Sequence, residues 1–290
     1  MKRILLLTAM VAGLGQGINA QNLQAYTPSI LFGPGDWEFK SFQNLYRQTK
    51  SFADGGGLEK VTTSQDALIF FTSFNQFLYG INDQINVGFD MQLNRTTLTT
   101  DAGRDSQTAI SLIGPRIKIA PFKSIRRLSI QSSYLFKVGD DFENRAPDSD
   151  RPGFFFANDR SIWLTQFFYD KPLNSQFQLF FQQAFWYSVV DDSFRANNYL
   201  QTQSSIFVNY FPNTRWTFYA MTELFPTHYD TNQEQAAAFE TFFVQSGLGS
   251  KFQLIPNKIE LEVLYTNFWL GSAQEGAGET FNFGIRIVNQ

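Results

Sequence analysis

The stretch INVGFDMQLNR, Ile85 to Arg95, puts Ile85, Val87, Phe89, Met91 and Leu93 on one parity and Asn86, Gly88, Asp90, Gln92 and Asn94 on the other. Successive side chains of a β-strand point to opposite faces, so this alternation describes a strand with one apolar and one polar face. A soluble sandwich would give those faces a core and bulk water; an outer-membrane barrel would give them lipid and a lumen. The alternation returns in Lys258–Tyr265, where Ile259, Leu261, Val263 and Tyr265 oppose Lys258, Glu260, Glu262 and Leu264, and at the C-terminal end, where Phe281, Phe283, Ile285 and Ile287 oppose Asn282, Gly284 and Arg286. In 177–187 both parities carry aromatics.

Composition favours lipid. Charged residues make up 17% of the 290-residue chain, below the usual quarter, and Phe occurs 33 times. A net charge of −3, with no Lys/Arg-rich run beyond the N-terminus, gives no electrostatic pull on nucleic acid. With no Cys there is no disulfide, lipoprotein anchor or thiolate metal site. Lys2 and Arg3, the apolar run from Ile4 to Leu14 and the small residue ending GINA read as a signal peptide, residues 1–20, cleaved after Ala20. No later apolar segment reaches the roughly 20 residues of a spanning helix, so membrane residence requires a closed barrel.

Turn signals supply the count. Compact, Pro-, Asn-, Asp- or Lys-bearing turns fall at 81–84, 120–124, 170–175, 211–214 and 255–258. Longer polar connections fall between them, at 51–65, 96–107, 139–160, 189–198, 226–240 and 270–279. Five short turns and six long connections enclose twelve strands, the layout of a single all-β, antiparallel transmembrane β-barrel with short periplasmic turns and long extracellular loops. The barrel is expected over 36–290, preceded by an N-terminal segment, 21–35, that lies in the periplasm or folds back as a small plug. Two aromatic belts are expected at the interfaces: Tyr79, Phe122, Phe168, Tyr169, Tyr210, Phe211 and Trp216 near the tight turns, and Trp163, Trp186, Tyr187, Phe225 and Trp269 near the long connections.

The segments TPSILFGPGDWEFKSFQNLYRQTK (27–50) and LEVLYTNFWLGSAQEGAGETFNFGIRI (261–287), with the barrel layout between them, resemble a family of Bacteroidota outer-membrane β-barrel proteins, porin- or transporter-like in layout. The resemblance implies the fold and a cell outer-membrane location, and brings no substrate or catalytic residue with it. The chain ends IRIVNQ where many such barrels end on an aromatic, which leaves Phe283 or Ile287 as candidates for the signal read by the assembly machinery.

Candidate chemistry is sparse. The only histidine, His228, has Thr227, Tyr229 and Asp230 beside it and no following serine before Ser246, so it reads as a surface-loop residue rather than the base of a lipid-modifying enzyme. One His and no Cys argue against zinc. Asp140, Asp141, Glu143, Asp148 and Asp150 do not follow a calcium-loop pattern and are interleaved with Arg145 and Arg151; they read as a solvated or lipopolysaccharide-facing loop. Gly55 to Gly57 lacks the residues of a phosphate loop. No cofactor and no metal is expected, and no enzyme activity.

The expected function is a channel or transporter for passive passage of small solutes. Its lumen would be lined by Asn86, Asp90, Asn94, Arg116, Lys118, Glu260, Glu262 and Arg286, with Arg286 paired to Glu260 or Glu262 across the neighbouring strand and Arg116 and Lys118 in similar pairs. Phe180, Trp186, Phe207 and Phe243 fall on the wet parity and would constrict it. Expected partners are outer-membrane lipid and lipopolysaccharide, small solutes and the assembly machinery. The alternative is a closed structural or interaction barrel whose loops bind partners.

Overall fold

The computed structural model describes residues 28–53, 57–59, 68–100, 103–125, 127–138, 160–190, 198–229, 241–273 and 275–290. The signal-peptide reading, the acidic cluster from Asp140 to Asp150, Asp230, and Gly55 and Gly56 lie outside them.

The strands, in chain order, are β1 (Trp37–Phe52), β2 (Leu58–Glu59), β3 (Leu68–Asn82), β4 (Ile85–Thr100), β5 (Gly103–Ile119), β6 (Leu128–Lys137), β7 (Arg160–Pro172), β8 (Phe177–Val190), β9 (Tyr199–Tyr210), β10 (Trp216–Tyr229), β11 (Thr241–Ile255), β12 (Ile259–Gly271) and β13 (Gly276–Asn289). Each long strand pairs antiparallel with its neighbours in sequence. β13 returns to β1 from Trp37↔Asn289 to Ser51↔Gly276 and closes a barrel of twelve long strands, with β2 a short addition on β1. Closure pairs every edge, which is what allows a β-structure to sit in lipid.

Asparagine shapes the tight turns. Asn82 Oδ1 accepts from Gln84 N, Asn174 Oδ1 from Gln176 and Phe177, and Asn213 Oδ1 from Arg215 and Trp216. In each turn the side chain replaces a backbone acceptor. Asn257, in the β11–β12 turn, takes a left-handed φ of 60°, which Asn tolerates better than most residues.

At 85–95 the two parities separate as the alternation requires. Asn86 and Asp90 are fully buried inside the barrel, while Phe89, on the outer face, is 50% exposed. The outer surface carries cross-strand aromatic pairs such as Phe77 with Phe89, Tyr169 with Phe181 and Phe177 with Tyr210, an apolar exterior suited to lipid. Inside, Leu112, Leu135, Ile162, Leu164 and Ala184 pack with Phe74 and Trp186 against the wall formed by β5 to β8.

Two expectations change. The connections expected at 96–107 and 270–279 are largely strand: β4 runs to Thr100 before β5 begins at Gly103, and β12 to Gly271 before β13 begins at Gly276. The β-branched run Thr96, Thr97, Thr99, Thr100 is polar enough to read as loop yet suits an extended backbone. The aromatic belts also divide. Tyr79, Phe122, Tyr169, Tyr210, Trp216, Trp163 and Trp269 are exposed on the outside, but Phe168, Phe211 and Trp186 line the interior and Phe225 stacks on the interior Phe243. Position near a strand end does not decide facing; parity does.

Candidate functional site: the barrel lumen

The barrel encloses a cavity of about 810 Å³. Its lower end, at the tight-turn rim, is crossed by the backbone of residues 28–33, of which Pro28, Ile30 and Phe32 line the cavity. Asn86 clamps this segment by accepting from Phe32 N at 2.9 Å and donating to Phe32 O at 2.8 Å. Lys118 Nζ donates to Ile30 O at 2.7 Å, and Ser29 Oγ donates to Asp170. Phe32 packs with Leu78 and Val288. A Cβ at Gly80 would overlap the carbonyl oxygens of Phe32 and Gly33, so glycine is what admits the segment to the wall.

Above the segment lie ion pairs formed between strands. Arg116 donates Nε and Nη2 to Asp90 Oδ2 at 3.0 and 2.6 Å, and Ser133 Oγ donates to the same oxygen at 2.8 Å. Arg286 pairs with Glu38, and Lys251 with Glu262 at 3.6 Å. Tyr219 OH donates to Glu262 at 2.6 Å, and its ring lies where a Cβ on Gly249 would sit. Lys40 rests over the Phe42 ring at 5.7 Å.

Aromatic rings form two arcs on the inner wall. The lower arc joins Phe168, Phe180, Phe207 and Tyr219 with centroid separations of 6.0, 5.2 and 5.9 Å. The upper arc joins Phe225, Phe243, Phe268, Tyr46 and Phe70 at 5.1, 4.7, 5.2 and 5.8 Å. Between the arcs, Glu223 accepts from Gln203 Nε2 at 2.6 Å, Ser205 Oγ at 3.0 Å and Gln245 Nε2 at 2.7 Å.

Of the residues expected at the lumen, Arg116, Lys118, Glu260, Glu262, Arg286, Phe180, Trp186, Phe207 and Phe243 line the cavity. Asn86 and Asp90 face inward but are taken up by Phe32 and Arg116, and Asn94 accepts from Gln92 at 3.0 Å. The expected ion pairing needs correction. Arg286 stands opposite Glu260 in register but pairs with Glu38 across the closing seam, Glu262 pairs with Lys251, and Lys118 meets a backbone carbonyl. Sequence reading missed Glu38, Lys40, Asp170, Tyr219, Glu223 and Lys251. The signal for Glu223 was present: Phe218 and Leu224 mark the outer parity of β10, which leaves Thr217, Tyr219, Met221 and Glu223 inside.

His228 and Ser246 do not meet. Ser246 is opposite Thr222, and His228 lies six residues further along β10, about 20 Å away at the rise of a strand.

The buried Asp90–Arg116 pair has a predictable energetic weight. Arg116→Met leaves the Asp90 carboxylate inside without its cation, at a cost of about 3–5 kcal/mol. Urea unfolding in lipid vesicles will show the loss, and adding Asp90→Asn will recover most of it.

No family model matches the chain, and no curated protein matches it. Among solved structures it is similar to the COG4313 outer membrane channel from Pseudomonas putida F1, at 11% identity and TM-score 0.68, over 92% of this chain and 100% of that one. It is also similar to the translocator domain of the autotransporter NalP from Neisseria meningitidis, at 9% identity and TM-score 0.50, over 99% of this chain and 94% of that one. At such identities the likeness is one of fold, and the fold is a closed, twelve-stranded transmembrane β-barrel of the outer-membrane type.

Proposed function

We propose that the chain is an outer-membrane channel that passes small solutes passively, without cofactor or covalent chemistry. The observation that carries this reading is the cavity of about 810 Å³ running inside the barrel, walled by Gln, Asn and charged side chains as well as aromatics, while the outside is apolar. A barrel that served only as a scaffold gains nothing from keeping ionised groups around an internal space, given what it costs to remove charge from water. The separation of His228 from Ser246 supports a non-enzymatic role. The export signal at 1–20, a periplasmic position for the tight-turn rim, contact of the long loops with lipopolysaccharide, delivery by the assembly machinery and kinship with Bacteroidota barrels belong to the same proposal.

The second reading, a closed interaction barrel, is favoured by one observation: residues 28–33 and the apolar cluster around Leu112 and Leu164 narrow the interior. Recording from purified, refolded protein in planar lipid bilayers separates the two. The channel reading expects stable single-channel steps; a membrane that stays silent at every voltage and salt concentration would leave the closed barrel.

A further inference from the structure

The carboxylate of Glu223 is built into a neutral cradle between the two aromatic arcs. Glu223 is buried, and among the described residues no Lys or Arg lies within ion-pair distance of it; its partners are Gln203, Ser205 and Gln245. The amides are oriented by groups further out. Trp186 Nε1, which can only donate, points at Gln203 Oε1 at 3.4 Å and so turns the Gln203 NH2 toward Glu223. Thr266 Oγ1 donates to Gln245 Oε1 at 2.7 Å and turns that NH2 the same way. Three donors therefore converge on the two oxygens, hydrogen bonds that favour the ionised carboxylate against the cost of its burial. A carboxylate has about four lone-pair sites, so roughly one is left for a ligand.

The surroundings narrow the ligand. Elsewhere in the lumen Asp90, Glu38 and Glu262 are each cancelled by a cation of the chain, and Glu260, bonded by Gln253, stands opposite Arg286 in register, whereas the hydrogen-bond partners of Glu223 are all neutral. On β10 it sits between the two aromatic arcs, with Tyr219 four residues below and Phe225 two above. A desolvated metal ion would want several oxygens, and Phe207, Phe243 and Phe268 supply none. Aromatic faces do attract organic cations and accept their apolar bodies.

We propose that Glu223 and the flanking rings form a binding site for an organic ammonium ion with an apolar body, a primary amine reaching the free carboxylate site while its hydrocarbon lies against the aromatic wall. This rests on the reading of the lumen as a solute path but is tested apart from it. Titration calorimetry of the detergent-solubilised full chain with hexylammonium chloride should show one site, and sodium hexanoate, with a hydrocarbon tail of similar size and the opposite charge, should show none. In Glu223→Gln, hexylammonium affinity should fall about tenfold or more, the scale of one charge-assisted contact. Equal or tighter binding of hexanoate, or no binding of hexylammonium to the parent protein, overturns the proposal without needing the variant. Unchanged affinity in a folded Glu223→Gln protein overturns it as well. Hexylammonium binding by a protein that never conducts would uphold the site and remove the channel.

Discussion

Deletion of residues 28–33 is expected to raise single-channel conductance severalfold and to make the current noisier. These residues cross the lumen at the tight-turn rim, held by Asn86, Lys118 and Asp170, with Phe32 driven into the contact with Leu78 and Val288. Nothing else among the described residues bridges the lumen by backbone at that end. Conductance follows the narrowest cross-section, so removing a backbone and three inward side chains there outweighs trimming any single wall residue. The deletion also leaves Asn86 and Lys118 without their carbonyl partners, so the urea midpoint should fall in parallel. Phe32→Ala, which keeps the backbone bonds, should give a smaller increase in conductance. If the deletion leaves conductance unchanged, the segment lies beside the path rather than across it.

The second large effect is expected on the outside. Phe89 is the middle residue of the apolar series Ile85, Val87, Phe89, Met91, Leu93, half-exposed on the outer wall and stacked on Phe77 at 5.7 Å. An arginine on the lipid face near the bilayer midplane costs about 2–4 kcal/mol. Loss of the ring pair adds about 0.5–1.5 kcal/mol. Phe89→Arg should therefore fold poorly into vesicles, seen as loss of the electrophoretic mobility shift of folded barrels and a lower urea midpoint. Gln92→Arg, three residues away on the inner face, should fold nearly as well as the parent protein. Equal tolerance of the two substitutions would mean that the outer face does not meet lipid.

The parts of this architecture that could be read from sequence are those set by neighbours in the chain. The period-two pattern of β4 and β13 and of the first residues of β12 fixes their facing, while Leu264 and Phe268 further along β12 line the lumen despite being apolar, and asparagine in the tight turns marks where hairpins reverse. In β8 the pattern is blurred because the lumen is itself aromatic: Phe181 and Phe185 face out while Phe180 and Trp186 face in. Charge partners were illegible for a different reason. Arg286 and Glu38 are 248 positions apart and meet only because the barrel closes, whereas Glu260, the neighbour suggested by the β12–β13 hairpin, does not take the ion pair. Residues 28–33 carry no periodicity at all, and their place follows from the polar groups that Asn86 and Lys118 offer inside the rim. Glu223 needed both kinds of information, its own parity and the amides brought beside it by β9 and β11.

If one face of each strand touches lipid and the other a water-filled lumen, cysteines placed along β4 will report it, since the chain has no cysteine of its own. Single cysteines at 87, 89, 91 and 93 and at 92 and 94, in protein folded into lipid vesicles, are to be reacted with a small water-soluble maleimide or labelled and quenched with brominated lipid; position 88 is left alone because a Cβ there would overlap the carbonyl oxygen of Phe77. Maleimide reaction is expected at 92 and 94 and lipid quenching at 87, 89, 91 and 93. Water-soluble labelling of the odd positions, or lipid quenching of the even ones, would contradict this facing.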